Sequence, residues 1–169
     1  MVRRAAGPAE RGGGRGVERD AGPEVGRTRD SAARGIAILR IAVGVVFLAH
    51  GIQKAVLWGV AGGVPFFREA GIPLAQVAAP LVTVVEVLAG LALLLGYRAR
   101  FAAALLAVVA LTALVTVHLP HGFFLPNGVE FVLVLAAANV ALALAGPGAW
   151  AIEDAARSDP RAAVHRMER

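Results

Sequence analysis

The sequence predicts an all-α fold: a polytopic membrane protein in which four transmembrane helices form a bundle. Two observations indicate this class. Of the 169 residues, 57% are hydrophobic and 17% are charged, and the mean hydropathy is +0.67, a composition far more apolar than that of a soluble domain. The apolar residues are also gathered into four long runs. A helix needs about 20 such residues to cross a bilayer.

Residues 1–34 precede the first apolar run and differ from it in composition. They are rich in Gly and Arg and have no apolar periodicity, so they bury too little apolar surface to offset the entropy of ordering. We expect a disordered, basic cytoplasmic tail that helps to set topology or binds anionic lipid headgroups. The tail is not a cleavable signal, because its charged region and the apolar segment after it are both too long.

The four apolar runs extend over about residues 36–58, 76–96, 101–117 and 129–145. At a rise of about 1.5 Å per residue, helices of these lengths cover roughly 25 to 34 Å, enough to span a bilayer with modest tilt. A tight turn at residues 97–100 joins the second run to the third, and the sequence Gly146-Pro147-Gly148 ends the fourth. The predicted transmembrane domain therefore covers residues 35–150, and a charged cytoplasmic tail follows at 151–169.

The distribution of basic residues predicts the orientation. Arginines are frequent in both tails and occur in the 97–100 turn, whereas the loop after the first run has only Arg68 and the loop before the fourth has none. The positive-inside rule therefore places both termini and the 97–100 turn in the cytoplasm, with the other two loops outside.

The two outer loops differ from each other. In the first, Pro65 and Gly71 bracket a short helix, which we expect at the interface with Phe66 and Phe67 directed to lipid or to the mouth of the bundle. The second loop, residues 118–128, is rich in His, Phe and Pro and cannot be a regular helix. Both loops are placed to fold over the outer end of the bundle as a lid.

The candidate ligand-binding residues are polar side chains within or beside the apolar runs. In hydrocarbon each such group must be satisfied by a partner, by water or by a ligand. The candidates are Arg40, His50, Gln53, Lys54, Glu86, His118, His121 and Glu130.

Helical spacing gathers several candidates on one face of the first helix. His50 and Lys54 are four residues apart, and Arg40 precedes Lys54 by fourteen, about 40° around the axis. Gly44 and Gly51 lie near the same line and would let a neighbouring helix approach closely. We therefore expect this face to point into the bundle.

Glu86, near the middle of the second run, is the deep acidic residue. We expect it to be protonated, or paired with Arg40, Lys54 or His50. Two interpretations of Arg40 and Glu86 stay open: they form a structural pair that fixes helix register, or they serve a ligand. Lys54 has the alternative of extending to the outer interface.

No metal site is predicted. His50 and His118 come from different helices at compatible depths, as bis-histidine haem ligation requires, but two histidines alone are weak evidence and haem is disfavoured. A zinc or iron site that adds His121 and Glu130 is disfavoured further, because loop histidines are more often ordinary interfacial residues.

Two further classes of function are excluded by composition. The chain has no cysteine, which excludes thiol chemistry and thiolate metal ligands. A sequence pI near 11.2 could suggest nucleic acid as a partner, but the arginines lie in tails and one short loop rather than on a soluble basic module.

Several separated motifs resemble the DoxX family of bacterial four-helix membrane proteins. They are Leu39-Arg40-x3-Gly44-x2-Phe47-Leu48-x-His50-Gly51-x2-Lys54, Phe66-Phe67-x3-Gly71-Ile72-Pro73, Glu86, and Val117-His118-Leu119-Pro120-x-Gly122-Phe123-Phe124 with Glu130. Together they cover about residues 36–150 in the right order. The resemblance implies a protein of the bacterial plasma membrane, related to the DoxD component of thiosulfate:quinone oxidoreductase and to complexes that handle oxidative or thiol stress.

The resemblance and the polar residues favour a redox-associated membrane subunit that binds a quinone-like ligand among His50, Lys54, Glu86 and His118. Lys54 or His118 would donate a hydrogen bond to a carbonyl oxygen, and Glu86 would relay a proton. Two alternatives stay open. One is a non-enzymatic anchor or assembly factor that recruits soluble redox enzymes through its tails. The other is a small-molecule carrier, which with four helices per chain would require a homo-oligomer.

Overall fold

The computed structural model describes residues 23–59 and 62–153. In this part of the chain every regular element is helical, which confirms the predicted all-α class. Within these described residues the α-helices are α1 (Pro23–Gln53), α2 (Val64–Glu69), α3 (Ala75–Leu95), α4 (Ala99–Ala113) and α5 (Glu130–Ala145). A wider π turn, Lys54–Trp58, continues α1, and a second one, Leu114–His118, continues α4 before a 3-10 turn at Leu119–His121.

Three helical segments are long and apolar enough to cross a membrane, over Glu24–Trp58, Ala75–Leu95 and Ala99–His121. The shorter apolar helix α5 has 16 residues and is about 24 Å long. These bounds agree with the predicted runs to within a few residues at most ends, because glycines and other turn residues separate the runs. Gly96, for example, ends α3 with a φ of 66°, a conformation that glycine adopts without strain. The chain is thus a multi-pass membrane protein.

α1 begins earlier than the composition suggested. Residues 23–34, which we assigned to a disordered tail, are helical, while residues 1–22 and 154–169 of the predicted tails lie outside the described residues. The physical reason is that a transmembrane helix already provides the unfavourable nucleus, so the polar residues before it need only extend the helix. The backbone N–H of Ala149 also donates to the carbonyl of Ala33 at 2.9 Å.

The helices pack mainly as two pairs, α1 with α3 and α4 with α5. Glycines set the spacing of the first pair. A Cβ added at Gly44 would lie 3.0 Å from the carbonyl oxygen of Gly90, and one added at Gly51 would lie 2.8 Å from the backbone nitrogen of Val87. Such close backbone approach is how small residues stabilise helix pairs in membranes. The expectation that Gly44 and Gly51 face a neighbouring helix is confirmed.

The core lies between the two pairs, where apolar side chains of all four long helices meet. Leu93 of α3, Leu106 of α4 and Leu142 of α5 are completely or almost completely buried. Contact between α3 and α4 is less extensive than contact within either pair. Cavities open along the seam between these two helices.

The bundle has two chemically different ends. At one end the start of α1, the α3–α4 turn and the chain after α5 come together, and the N–H of Ala99 donates to Oε1 of Glu153 at 3.1 Å. We call this the terminal end (residues 23–37, 96–100 and 146–153). The opposite end carries α2, both π turns and the 119–129 loop, and we call it the loop end (residues 54–59, 62–74 and 114–130).

Arg100 stabilises the terminal end by capping α5. Its guanidinium donates to the carbonyl oxygens of Ala143, Leu144 and Ala145 at 2.6 to 3.2 Å. These are among the last carbonyls of the helix, which have no partner within it, and a cation also interacts favourably with the negative end of the helix dipole.

Candidate functional site

Lys54 and Glu86 form an ion pair between the end of α1 and the middle of α3. The Nζ atom of Lys54 lies 2.5 Å from Oε1 and 2.6 Å from Oε2 of Glu86. The glutamate side chain is 5% exposed and the lysine side chain 20% exposed. Of the three residues considered as partners of Glu86, which were Arg40, His50 and Lys54, only Lys54 is paired with it in the structure. Gly51, one turn before Lys54, makes this possible because it lets α3 approach α1 beside Glu86.

Arg40 is completely buried at the terminal end and does not pair with Glu86. Its Nη2 atom donates to the carbonyl oxygens of Ala149 and Trp150 at 3.3 and 3.4 Å. Gly96 leaves room for the guanidinium, since a Cβ at this position would collide with Nη1. The Arg40–Glu86 pair that we considered is not formed, because fourteen residues of helix, about 21 Å, separate Arg40 from the lysine that holds the carboxylate.

His50 and Gln53 lie on the exposed surface of α1, whereas the sequence placed His50 with the inward-facing residues. The reason is the position of each residue around the axis of α1. Lys54 already lies at the edge of the buried face, on which Gly44, Phe47 and Gly51 are found. A residue four positions earlier is rotated by a further 40°, which takes His50 off that face.

The three loop candidates bond to the backbone of the loop itself. His118 Nδ1 lies 2.8 Å from the carbonyl oxygen of Asn127, and His121 Nδ1 lies 2.8 Å from that of Val117. Oε1 of Glu130 accepts the N–H of Leu125 at 2.8 Å. The structure thus uses these side chains to organise the 119–129 loop, which is the ordinary role we weighed for the histidines. Within residues 23–59 and 62–153, no cluster of three or more His, Asp or Glu side chains is placed to hold a metal ion.

An open cavity of about 350 Å³ lies beside the ion pair, between α3, α4 and α2. The lining is apolar apart from Lys54, Glu86 and Thr112. Thr112 donates its hydroxyl to the carbonyl of Val108, one turn earlier in its own helix, at 2.9 Å, as expected for a threonine in a membrane helix. The Lys54–Glu86 pair therefore carries the polar chemistry of this cavity.

The short helix α2 forms the outer wall of the cavity. Its existence was predicted from Pro65 and Gly71 and is confirmed. Phe67 is buried against Ala75 and Ala79, which fixes α2 on α3, while Phe66 is partly exposed and lies near Trp58, with ring centroids 6.2 Å apart. Both phenylalanines line the cavity. Only the first of the two loops thus covers it, since no residue of the described 119–129 loop is in the lining.

The sequence did not reveal what α4 contributes. Leu105, Val108 and Val109 line the cavity, but an apolar side chain that faces a cavity looks the same in sequence as one that faces lipid. The two π turns were also missed. Lys54 opens the first, and the lining residue Val117 lies in the second. Such turns are frequent at functional sites.

Comparison with known proteins identifies the family. The profile of the DoxX family matches residues 35–119, a stretch that contains Lys54, Glu86 and all of α2. The chain belongs to the DoxX family. This confirms the resemblance noted in the sequence motifs and places both members of the ion pair inside the part that defines the family.

Two curated relatives are similar over most of their length. A Bacillus subtilis (strain 168) protein named "Putative oxidoreductase CatD" is 30% identical over 112 residues, which cover 66% of this chain and 79% of the relative. An uncharacterized membrane protein of Mycobacterium tuberculosis is 33% identical over 126 residues, which cover 68% of this chain and 77% of the relative. No solved structure matches the chain.

Proposed function

We propose that this DoxX protein is a redox-associated membrane subunit that binds a quinone-like ligand in the cavity beside Lys54 and Glu86. The observation that carries the proposal is a charged pair in the wall of an otherwise apolar cavity. Small-molecule sites combine mostly apolar walls with a few placed polar groups. A quinone ring fits this pattern, because its faces are apolar and its carbonyl oxygens accept hydrogen bonds.

We propose different roles for the two charged residues. Lys54 carries three N–H donors, so its ammonium group can donate to a ligand carbonyl while it remains bonded to Glu86. Reduction of the ring requires protons as well as electrons. Lys54 would give a proton to the ring oxygen, and Glu86, within hydrogen-bond distance of Nζ, would relay a replacement.

Of the four residues that the sequence offered for this ligand, Lys54 and Glu86 line the cavity, whereas His50 and His118 are not in the lining. We therefore assign the ligand to the first two alone. The chain has no cysteine for thiol redox chemistry, and we propose that a partner redox protein or a bound cofactor supplies the electrons. The name of the Bacillus subtilis relative supports a redox setting.

The proposal includes an orientation in the bacterial plasma membrane. We place the terminal end in the cytoplasm, because the arginine-rich tails are attached to it in sequence and Arg98 and Arg100 lie at its α3–α4 turn, and we propose that α5 crosses the membrane with the three longer segments. The ion pair then lies in the outer half of the bilayer, and α2 lies at the outer interface.

Titration of the purified protein in nanodiscs with ubiquinone and menaquinone analogues tests the proposal. We expect saturable binding by the wild type and at least about tenfold weaker binding by Lys54→Met, which corresponds to about 1.4 kcal/mol. Glu86→Gln should weaken binding through the displaced lysine. Glu130→Gln is the matched control, because Glu130 bonds within the loop, and it should bind like the wild type.

The outcome that contradicts the proposal is absence of saturable binding by the wild type, or equal affinity in the wild type and both site variants. Because a single substitution leaves its partner unpaired, the double variant Lys54→Met/Glu86→Leu is measured as well. It removes both charges together and should keep the fold while losing the ligand.

A further inference from the structure

Two polar side chains of α1, those of His50 and Gln53, lie outside the bundle and take no part in the cavity beside Lys54. Both are exposed, and neither is in the cavity lining. In the part of the chain that the structure describes, neither side chain makes a hydrogen bond. Gln53 is about 160° around the helix from Gly51, the residue that contacts α3. It therefore lies on the side of α1 opposite that contact.

The contact between α1 and α3 gives the depth of these two residues in the membrane. A Cβ added at Gly51 would lie 2.8 Å from the backbone nitrogen of Val87, and both polar residues are within about 3 Å of Gly51 along the axis of α1. Val87 has at least about 12 Å of α3 on either side of it. Because α3 exposes apolar side chains from Val77 to Leu95, hydrocarbon surrounds it over that length. The two polar residues thus lie deep in hydrocarbon.

Lipid cannot satisfy the polar groups of these side chains. A glutamine amide has two N–H donors and an acceptor oxygen, and a neutral histidine ring has one donor and one acceptor. Polar residues within a membrane almost always face a bundle interior or a water-filled cavity, where they have partners. Hydrogen bonds to a neighbouring helix satisfy them as well. The outward position of His50 and Gln53 therefore indicates contact with a further membrane helix at this depth.

Gln53 belongs to a longer pattern on the outer face of α1. The exposed or half-exposed residues Leu39, Ala42, Val46, Ala49 and Gln53 follow one another at alternating intervals of three and four. This is the spacing with which two parallel helices pack side by side, and a single polar residue in such a seam fixes register and the number of helices. We call these five residues the α1 seam.

We propose that the α1 seam is the interface of a homodimer, in which the α1 helices of two copies of this chain pack in parallel. Copies share one orientation in the membrane, and two-fold symmetry brings each central residue of the seam to its own counterpart at the same depth. Gln53 suits that position because its amide both donates and accepts, so two copies satisfy each other. His50, one turn earlier at the edge of the seam, can bond to the amide of the second copy.

The first test measures self-association in liposomes by single-molecule photobleaching over a range of protein-to-lipid ratios. We expect the wild type to dimerise and Gln53→Leu to dimerise about fivefold more weakly. Leucine is at home in hydrocarbon, so this variant should fold. Gln76→Leu is the matched control, because Gln76 is an exposed glutamine near the start of α3, away from the seam, and it should dimerise like the wild type.

The second test uses cysteine cross-linking in native membranes, since the chain has no cysteine of its own. A cysteine at position 49 should form disulfide-linked dimers when an oxidant is added, because Ala49 lies within the seam. Leu91→Cys is the matched control. Leu91 is exposed on α3, four residues from Val87 and so within about one helical turn of the same depth, and it should not cross-link.

Three outcomes overturn the inference. The first is a wild type that stays monomeric at every protein-to-lipid ratio, and the second is a Gln53→Leu variant that associates as strongly as the wild type. The third is a cross-link of Ala49→Cys to a different protein, or cross-linking of Leu91→Cys in its place, since either result would assign the seam another occupant or the dimer another face. None of these measurements involves a quinone, so the inference fails or stands separately from the proposed function.

Discussion

Lys54 and Glu86 join α1 to α3 by an ion pair whose carboxylate is almost completely buried. The two residues are unequal in one respect that matters for stability. Lys54 is partly exposed and has a long flexible side chain, which can extend toward the membrane interface when its partner is lost. Glu86 lies in the middle of α3 and has no such route. The free energy of unfolding should therefore fall by different amounts when Lys54 or Glu86 is replaced.

We predict that Lys54→Met lowers the free energy of unfolding by about 3 kcal/mol, because it leaves a buried carboxylate unpaired. Glu86→Gln should lower it less, since the ammonium group can move to the interface. The double variant Lys54→Met/Glu86→Leu should recover most of the loss. Reversible unfolding in mixed detergent measures all three, and simple addition of the two single effects in the double variant would contradict the pairing.

At the scale of elements, the contact between α1 and α3 positions the ion pair. The glycines of this contact bring the two backbones together, and Gly51 lies one turn before Lys54, where a Cβ would approach both Val87 and Glu86. Packing and site geometry are therefore coupled through a single position. A larger residue here pushes the helices apart and separates the charges.

We predict that Gly51→Val destabilises the protein by about 2 kcal/mol through overpacking and also weakens quinone binding. Gly35→Val is the matched control on the same helix, because a Cβ at Gly35 meets nothing within 4 Å. Thermal unfolding and the quinone titration measure the two effects. Equal thermal stability and equal quinone affinity of the two variants would show that the glycine contact does not position the site.

The sequence predicted the elements better than it predicted the site, and the reasons are physical. Helix bounds follow from apolar length and from turn residues such as Gly96, and the short helix α2 follows from Pro65 and Gly71. The extension of α1 back to Pro23 was missed, because composition describes a segment in isolation and not one attached to a preformed helix.

Within the site, the sequence identified Lys54 and Glu86 because charged residues in apolar runs stand out. It could not separate Lys54 from His50, since a rotation of 40° around the helix decides which of them faces inward. The cavity could not be predicted from the sequence, because its existence depends on the distance between α3 and α4. The identities of Leu105 and Val108 do not indicate that distance.

At the scale of the whole molecule, each end of the bundle has its own chemistry. Arg40 and Arg100 hold the terminal end together by donating to backbone carbonyls after and within α5. The loop end carries the cavity and its aromatic cover. This arrangement fits the proposed subunit, in which the loop end would receive its ligand from the outer half of the membrane.

The natural absence of cysteine allows single-cysteine variants to test the orientation. We predict that a membrane-impermeant maleimide labels Glu69→Cys and Asn127→Cys in intact spheroplasts, because these exposed residues lie at the loop end. Tyr97→Cys and Trp150→Cys, exposed at the terminal end, should be labelled only after permeabilisation. Labelling of positions 127 and 150 from the same side would show that α5 does not cross the membrane.

We propose above all that the Lys54–Glu86 cavity holds a quinone. Its most direct test is purification from native membranes in mild detergent, followed by mass analysis of the extracted lipids. We expect quinone to be retained in stoichiometric amount by the wild type and by Glu130→Gln, and to be lost from the folded double variant Lys54→Met/Glu86→Leu. Absence of quinone from the wild type, or equal retention by the double variant, would contradict it.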